Sequence, residues 1–398
     1  MDRRQFLLTG ACSLASAPLM TPVALADAPW DNRLVVIILR GAMDGLDVFR
    51  PVGDPDFAGL RPNLNDGQGI GLDDFWQMHP ALRPLLPLWQ KGELGVVPAT
   101  STPYRDKRSH FDGQDLLEAG GAALDGQIND GWLNRLVQTV PGASANTAFA
   151  IGREPMAILA GEAAVARWSP DARLSLTPAA EGLLERVFHD DPLFREASAQ
   201  AIALASQMET MAEIAADTES RMQADPMMAQ AGQGAHVALA RFAATQLRGA
   251  TRIASFSLTG WDTHRNQRGG ISRALGQLSD TILTLRAGLG PEWDKTAVLC
   301  LTEFGRTVRE NGNKGTDHGT GGAMIFAGGA MRGGQFAGEW PGLAEVDLYD
   351  RRDLMPLTDV RAHAGWVMRG LFGLDRGLVE RTVFPGLDLG SDLGLLRS

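Results

Sequence analysis

TAVLCLTEFGRTVRENGNKGTDHGTGGAMIFAGG, residues 296–329, places a polar segment between two apolar runs. Thr296 to Thr302 is an apolar run with β-branched residues, and Ala323 to Ala327 is a second apolar run. Runs of this kind are typical of strands that are buried on both faces. Glycine and asparagine interrupt the segment between them, so regular structure cannot continue through it. The stretch therefore predicts two strands joined by an irregular polar loop.

That loop has a higher density of candidate catalytic and metal-binding residues than any other part of the chain. Glu303 and Arg306 follow the first run closely, and Asp317 and His318 precede the second. An acid, a guanidinium and an Asp-His pair are therefore expected where a sheet ends.

Further apolar runs predict a parallel sheet around this pair of strands. They lie at Leu34–Leu39, Gly95–Ala99 and Ile253–Leu258, and patterns of helical period separate them, the clearest at 269–289. Strands that alternate with helical crossovers indicate a doubly wound, mostly parallel α/β sheet. Residues 178–248 have helical spacing almost throughout and predict a helical insert, while Phe149–Leu159 suggests two short strands around Pro155.

The first 26 residues have the features of an export signal rather than of folded structure. Arg3 and Arg4 precede an apolar segment that ends in Ala24-Leu25-Ala26, a sequence like an A-x-A cleavage site. We interpret residues 1–26 as a twin-arginine signal and residues 27–398 as the α/β domain. A basic start to the first helix is one alternative, and a lipoprotein processed at Cys12 is another.

Composition limits the classes of partner. The chain has 398 residues, 44% of them hydrophobic, and a formal charge of -10. Signal removal takes away one acid and two arginines, which leaves -11. An acidic chain with no other long apolar run argues against nucleic acid, anionic membranes and a stable membrane span. Cys300 has no partner for a disulfide outside the signal and is expected to be buried.

Acids, imidazoles and a hydroxyl follow four of the predicted strands, where ligands collect in open α/β sheets. These residues are Asp44, Asp47, Ser109, His110, Asp262, His264 and Glu303, with Asp317 and His318 on the loop that leaves the last strand. So many carboxylates at one place would repel one another unless a cation were present. Oxygen and nitrogen donors without a thiolate favour one or two ions of Zn²⁺, Mn²⁺, Mg²⁺ or Ca²⁺.

Ser109 allows two interpretations. Arg105, Lys107 and Arg108 precede it and a helix follows, an arrangement that favours a nucleophilic hydroxyl beside an anion site. Alternatively, Ser109 caps the helix, with Asp112 as an imperfect capping box. In the first interpretation, Arg108 and Arg306 balance the negative charge on the oxygens of a phosphoryl or sulfuryl group. Ser109 or a metal-bound hydroxide then attacks that group. His110 is the fourth residue of this candidate catalytic group.

Seven features in order along the chain resemble the DUF1501 family of exported bacterial proteins. They are the double arginine, LVVIILRGAMDGLD, HPALRPL, YRDKRSHFDGQDLLE, GWDTHRNQ, TEFGRT and TDHGTGGAMIFAGG. That family resembles the alkaline phosphatase and sulfatase superfamily, which implies an alkaline phosphatase-like α/β fold with a metal-dependent hydrolytic centre.

The resemblance also implies roles for individual residues. Asp44 corresponds to the metal-binding acid of the first strand, and Ser109 to a nucleophile at a helix start. Asp262 with His264, and Asp317 with His318, resemble the two Asp/His metal pairs. The spacing of the first pair is narrower than usual, and Glu303 stands where the later pair normally begins. Asp317-His318 therefore corresponds to the final histidine loop, with Glu303 in the earlier place.

Together these features predict an exported, metal-dependent hydrolase of phosphate or sulfate esters, either small molecules or groups on a polymer. Its other partner is the twin-arginine export machinery, and its expected location is periplasmic or secreted. The alternative is a non-catalytic exported scaffold or binding protein that retains the fold.

Overall fold

The computed structural model describes residues 30–105, 108–124, 126, 128–169 and 234–397. The signal segment 1–26 and residues 178–233 of the helical insert lie outside these described residues, so both stay predictions. The described part of the insert forms one helix, Ala235–Arg248.

An eight-stranded sheet forms the centre of the molecule. Its strands are β1 (Arg33–Leu39), β5 (Leu94–Ser101), β6 (Ala148–Ile151), β7 (Ala166–Trp168), β8 (Ile253–Leu258), β9 (Thr296–Leu301), β10 (Gly322–Ala327) and β11 (Thr358–Asp359). Their order is β11-β5-β10-β9-β1-β8-β6-β7. β10 is antiparallel to both its neighbours, and all the other pairings within this sheet are parallel. Three short strands, β2 (Phe49–Arg50), β3 (Ile70–Gly71) and β4 (Gln77–Met78), form a separate small sheet.

Helices cover the sheet. They are α1 (Gly45–Val48), α2 (Phe57–Leu60), α3 (Leu86–Gln90), α4 (His110–Ala119), α5 (Trp132–Gln138), α6 (Ala235–Arg248), α7 (Gln267–Leu289), α8 (Val360–Phe372) and α9 (Arg376–Leu378). Shorter helical turns lie at Pro80–Leu85, Ala145–Thr147, Ala157–Leu159, Gly290–Lys295, Glu345–Asp347 and Val379–Val383.

The central strand β1 shows that the sheet is doubly wound. Alternate side chains of a strand point to opposite faces. Val35 and Ile37 pack in the cluster that contains residues of α6 and α7, whereas Leu34 and Val36 pack in the cluster that contains residues of α5 and α8. All four side chains are fully buried. Burial on both faces explains why apolar residues do not alternate with polar ones along β1. The predicted doubly wound, mostly parallel α/β fold is confirmed.

The strand directions place the predicted site residues at one edge of the sheet. β1, β8 and β9 are parallel neighbours, so the chain segments after Leu39, Leu258 and Leu301 leave the sheet at the same edge. β10 is antiparallel to β9 and therefore begins at that edge. The loop between β9 and β10 thus meets the exits of β1 and β8.

One predicted strand is wrong. Phe149 lies in β6 as expected, but Ala157–Leu159 forms a helical turn, and the next strand is β7 at Ala166–Trp168. Pro155 has no N–H to donate to a sheet. Moreover, the Ile158 N–H donates to Glu118 Oε2 instead of to a neighbouring strand.

Two histidines away from the β9–β10 loop, His79 and His363, stabilise local structure. His79 Nδ1 accepts a hydrogen bond from the Ala81 N–H and so caps the turn that begins at Pro80. His363 is buried in α8, where its Nε2 contacts Thr358 Oγ1. Burial lowers the pKa of His363 to about 4, so this ring is neutral at physiological pH.

Within the described part of the chain, no helix combines the length and apolarity needed to cross a bilayer.

Candidate functional site

Three imidazole rings meet one carboxylate oxygen at this edge of the sheet. Asp262 Oδ1 lies 3.1 Å from His264 Nε2, 3.4 Å from His110 Nε2 and 3.5 Å from His318 Nε2. His264 Nε2 and His318 Nε2 are only 2.9 Å apart. Donor atoms of His110, Asp262 and His318 all lie within 4.8 Å of one another. Potential ligand atoms from the start of α4, the exit of β8 and the β9–β10 loop therefore share a small volume, and His264 Nε2 lies next to two of them.

The other ring nitrogen of each histidine contacts an oxygen acceptor. The three contacts are His110 Nδ1 with Glu303 Oε1 at 2.8 Å, His264 Nδ1 with Asp317 Oδ1 at 3.2 Å, and His318 Nδ1 with the Arg108 carbonyl at 2.9 Å. Ionised carboxylate and carbonyl oxygens only accept hydrogen bonds, so each Nδ1 carries the hydrogen. In the neutral ring, Nε2 then presents a lone pair. All three lone pairs are directed into the cluster.

The electrostatics of the cluster favour a cation. Burial lowers the pKa of His318, and the positive charge of Arg306 adds to this effect. Burial alone would raise the pKa of Asp262 and of Glu303. Hydrogen bonds from Arg306 to Asp262, and from His110 to Glu303, nevertheless hold both pKa values below their usual range. Both acids are therefore ionised at neutral pH.

A charge balance shows how much positive charge the cluster lacks. Asp262, Glu303 and Asp317 carry three negative charges against the single positive charge of Arg306, which leaves -2 when the imidazoles are neutral. Within the described residues, buried His110 Nε2 has no hydrogen-bond partner, because its contact with Asp262 lacks suitable geometry. An unpartnered buried nitrogen and two uncompensated charges fit a divalent metal ion.

Protonation of His110 would compete with metal binding. The hydrogen bond to Glu303 raises the pKa of His110, although burial opposes the shift. A proton on Nε2 would use the same lone pair as a metal ion, so metal binding at this ring is coupled to proton release.

Glu303 supports the cluster from behind. It follows β9 directly and is fully buried. Its Oε1 accepts from the Gly41 N–H at 2.9 Å and from Gln114 Nε2 at 3.1 Å, in addition to His110. Thr302 Oγ1, which has a single hydrogen to donate, lies 3.0 Å from both Glu303 Oε2 and the Leu39 carbonyl. With three hydrogen bonds on Oε1, Glu303 orients His110, and it is not among the residues grouped around Asp262. Its predicted place among the ligands is therefore not supported.

Arg306 fixes the arrangement of three loops. Its guanidinium is fully buried and donates to the carbonyls of Ala42, Thr316, Gly41 and Trp261 as well as to Asp262 Oδ1, the last at 2.6 Å. These bonds join the exits of β1 and β8 to the β9–β10 loop. Because they use each of its three nitrogens, Arg306 positions Asp262 and does not reach a substrate, contrary to its predicted catalytic role.

Gly41 permits the close approach of two strand exits. Its φ is +118°, and a Cβ atom there would lie 2.5 Å from the Asp262 backbone nitrogen. Any other residue would therefore clash with the backbone that carries Asp262.

Asp44 and Asp47 do not join the cluster. Asp44 is buried and forms two hydrogen bonds with Arg61, at 2.5 and 3.1 Å. Asp47 is likewise buried and paired with Arg50 at 2.8 Å. Sequence reasoning placed Asp44 among the ligands because of its position after β1, but its partner Arg61 lies 17 residues further on in an irregular segment that carries no recognisable signal.

Ser109 caps helix α4. Its Oγ accepts from the Asp112 N–H at 3.3 Å, as the capping alternative predicts. The side chain of Arg108 is exposed, and the residue has a φ of +53°. Arg108 has this unusual backbone conformation, and its carbonyl accepts a hydrogen bond from His318 Nδ1. Arg108 thus contributes its backbone to the cluster.

A family model described as a protein of unknown function, DUF1501, matches residues 98–379. This match covers well over half of the chain. The chain belongs to the DUF1501 family. Among curated proteins, no sequence is similar enough to count as a relative.

One similar solved structure is a protein of the alkaline phosphatase superfamily from Vibrio parahaemolyticus. It shares 13% sequence identity, and the alignment covers 100% of this chain and 80% of that chain with a TM-score of 0.36. The α/β assignment of this DUF1501 protein rests on its own sheet topology.

The cluster opens to solvent on one side, next to a cleft. The side chains of Asp262, His264 and Asp317 are 48%, 38% and 53% exposed. Asp317 and Asn311 also line a cleft of about 460 Å³, and Asn311 Nδ2 donates to Asp317 Oδ1. A ligand in the cleft would therefore lie beside the exposed side of the cluster.

Sequence reasoning missed two supporting residues of this DUF1501 chain. Gln114 lies one helical turn after His110, a spacing that places both on one face of α4 and that could have identified it. Gln267, at the start of α7, is fully buried and bonds to Asp44 and Asp47. No local pattern distinguishes it from an ordinary residue in the first turn of a helix.

Proposed function

We propose that this protein is an exported, metal-dependent hydrolase of phosphate or sulfate esters. The observation that carries the proposal is the convergence of three Nε2 atoms on Asp262 Oδ1, while each Nδ1 contacts an oxygen. Residues that only stabilise the fold have no need for four acceptors that face one another.

Asp262, His110 and His318 would hold the ion, with His264 Nε2 close to two of them as a further donor. His110 thereby takes a ligand role in place of the predicted catalytic one. Asp317, predicted as a ligand, would instead orient His264 through its Nδ1. Atoms that are each about 2.0–2.2 Å from a tetrahedral ion lie about 3.3–3.6 Å apart, and Asp262 Oδ1 lies 3.4 Å from His110 Nε2 and 3.5 Å from His318 Nε2. Three imidazoles favour Zn²⁺ over Mg²⁺ or Ca²⁺. When bound, the ion supplies positive charge that stabilises negative charge developing on the ester oxygens.

The neighbouring cleft contains cationic groups that suit an anionic ester. Its lining includes Arg309, Arg351 and Arg352, and guanidinium groups recognise phosphate and sulfate oxygens through paired hydrogen bonds. Four acids, Asp56, Glu310, Asp317 and Glu345, line it as well, so the cleft is not positive without a metal ion beside it. Leu343 and Leu348 add an apolar part to the lining, which suits the carbon portion of the alcohol. A cleft of this volume lies within the range of ordinary small-molecule sites.

Ser109 remains the proposed nucleophile. It directly precedes His110 and is half-buried; its Oγ accepts from the Asp112 N–H, and its hydroxyl also lies within hydrogen-bonding reach of Tyr104. The twin-arginine segment at residues 1–26 supports export of the folded chain, since this route carries proteins that take up a metal before export.

Metal analysis together with an ester panel tests the proposal. We expect the folded, exported protein to retain a divalent metal after dialysis and to hydrolyse at least one of 4-nitrophenyl phosphate, bis(4-nitrophenyl) phosphate and 4-nitrophenyl sulfate. Chelation should abolish turnover, and the metal should restore it. A metal-free protein without turnover would instead support the non-catalytic alternative.

Two substitutions of Ser109 separate capping from catalysis. Ser109→Ala removes both the cap and the hydroxyl and is expected to destabilise the protein by about 1 kcal/mol. Ser109→Asn retains a good capping side chain, so thermal stability should stay close to that of the parent protein. Both variants should lose turnover if Ser109 is the nucleophile, and an active Ser109→Asn protein would remove it from that role.

Glu303→Gln is expected to lower metal affinity by about 10- to 100-fold, because carboxylates that hold a metal-binding histidine have effects of this size. The variant keeps the size of the side chain but loses the charge beside His110. Competition titration with a chromophoric chelator measures the affinity. Glu310→Gln is a matched control, since Glu310 is on the same loop but bonds to the backbone of Asn63 and Leu64. Equal affinities in the two variants would contradict the role of Glu303.

A further inference from the structure

The acids at the exit of β1 already have cationic partners. Arg61 donates to both oxygens of Asp44, and Leu46 N–H also donates to Oδ1. Arg50 donates to Asp47 Oδ1 through two of its nitrogens. All four charged side chains are at least 98% buried. Arg50 also pairs with Asp66 at 2.7 Å, and Arg268 lies 3.6 Å from the other oxygen of Asp66. Three negative and three positive charges therefore balance in this network.

Gln267 connects this neutral network to the histidine cluster. Its Nε2 donates to Asp44 Oδ2 at 2.6 Å and to Asp47 Oδ2 at 2.9 Å. Its Oε1 accepts from Thr263 Oγ1 at 2.9 Å and from Thr316 Oγ1 at 2.7 Å. Thr263 stands between Asp262 and His264, and Thr316 directly precedes Asp317 and His318. One fully buried amide thus links the β1 exit to both ligand loops.

We infer that this protein binds a single divalent ion, and that the Asp44–Arg61 and Asp47–Arg50 pairs, joined through Gln267, replace a second ion and position the ligand loops. The inference goes beyond the proposed hydrolase activity, because it fixes the number of ions and assigns a positioning role to Gln267.

The oxygen inventory argues against a second ion. A pair of ions needs a second set of donors within a few ångströms of the first. At the β1 exit every oxygen of Asp44 and Asp47 already accepts a hydrogen bond. Glu303 Oε1 likewise accepts three hydrogen bonds. A second cation would have to displace a buried guanidinium and leave it unpaired, which is strongly unfavourable.

The charges of these side chains also indicate one divalent ion. The cluster of Asp262, Glu303, Asp317 and Arg306 has a net charge of -2, which one divalent ion neutralises. The neighbouring network is neutral without any ion. Two divalent ions would leave an excess of positive charge in a partly buried site.

Metal stoichiometry tests the number of ions directly. Purified protein that is saturated with Zn²⁺ and then dialysed is expected to contain one zinc per chain by elemental analysis. Titration of the metal-free protein with Zn²⁺ should show one tight step. Two ions per chain would overturn this inference and leave the proposed activity intact, whereas a chain that binds no ion would overturn both.

Gln267→Leu tests the positioning role. We expect metal affinity to fall by about 10- to 100-fold while the stoichiometry stays at one. The absorption spectrum of the Co²⁺-loaded variant should also differ from that of the parent protein, because the ligand loops lose their common anchor. Gln277→Leu is the matched control: the same substitution on the same helix, at a half-buried position ten residues further on.

A second variant keeps the test decisive if Gln267→Leu does not fold. Thr263→Val removes one of the hydrogen bonds to Gln267 and preserves the shape of the side chain. It should lower the Zn²⁺ affinity measurably and alter the Co²⁺ spectrum. Unchanged affinity and an unchanged spectrum in Gln267→Leu or Thr263→Val would overturn the positioning role.

Discussion

His318→Ala is expected to abolish tight binding of divalent metal and, with it, hydrolysis of every ester that the parent protein accepts. His318 Nε2 lies close to both His264 Nε2 and Asp262 Oδ1, so its loss removes a ligand from the centre of the cluster. Because even supporting residues change metal affinity by about 10- to 100-fold, loss of a direct ligand should cost at least on the order of 100-fold.

Thermal unfolding with and without Zn²⁺ measures this effect. An ion at 100 times its dissociation constant stabilises the folded state by about 2.7 kcal/mol, so the parent protein should gain stability that the variant does not. His236→Ala is the control, because His236 pairs with Asp280 outside the cluster. A His318→Ala protein with the zinc-dependent stabilisation of the parent would contradict the assignment of this ligand.

Arg306→Leu should reduce the free energy of unfolding by about 3 to 5 kcal/mol. The substitution leaves Asp262 without its guanidinium partner and removes the donor from the carbonyls of Ala42, Gly41 and Thr316. Unpaired buried polar groups of this kind cost about 1 to 3 kcal/mol each, and the effects of neighbouring groups overlap.

Chemical denaturation of the metal-free protein isolates this effect from metal binding. Arg309→Leu, three residues further on, replaces an exposed arginine and is expected to change stability by no more than about 0.5 kcal/mol. Similar losses in the two variants would show that the buried hydrogen bonds of Arg306 do not hold the loops together.

The uneven success of the site predictions has a physical cause. His110, His264, Asp262 and His318 come together because they follow parallel strands, and that order is visible in the alternation of apolar runs and helical patterns. Glu303, Arg306 and Asp44 occupy equally favourable positions in the chain, yet buried partners use their side chains. A position after a strand predicts proximity to the site, but it does not predict which atoms remain free.

Ser109 illustrates the same limit on a smaller scale. Its neighbours in the sequence allowed both a nucleophile and a helix cap. The structure places its Oγ against the Asp112 N–H, which establishes the cap, and the nucleophilic role stays a prediction. Local sequence could suggest the cap because the donor is only three residues away, but it could not choose between the two roles.

The α/β class, the two strands on either side of the 302–321 loop and the edge of the sheet at which the polar residues gather all follow from the amino-acid sequence. These properties depend on the period of apolar residues and on strand order, both of which are local or nearly local. Contacts in the folded chain were needed to show that Arg61 and Arg50 pair with the acids after β1, that Arg306 is enclosed by carbonyls, and that three Nδ1 atoms have oxygen partners. Those outcomes depend on contacts between residues up to 265 positions apart, and the buried environment then makes each charge need a specific partner.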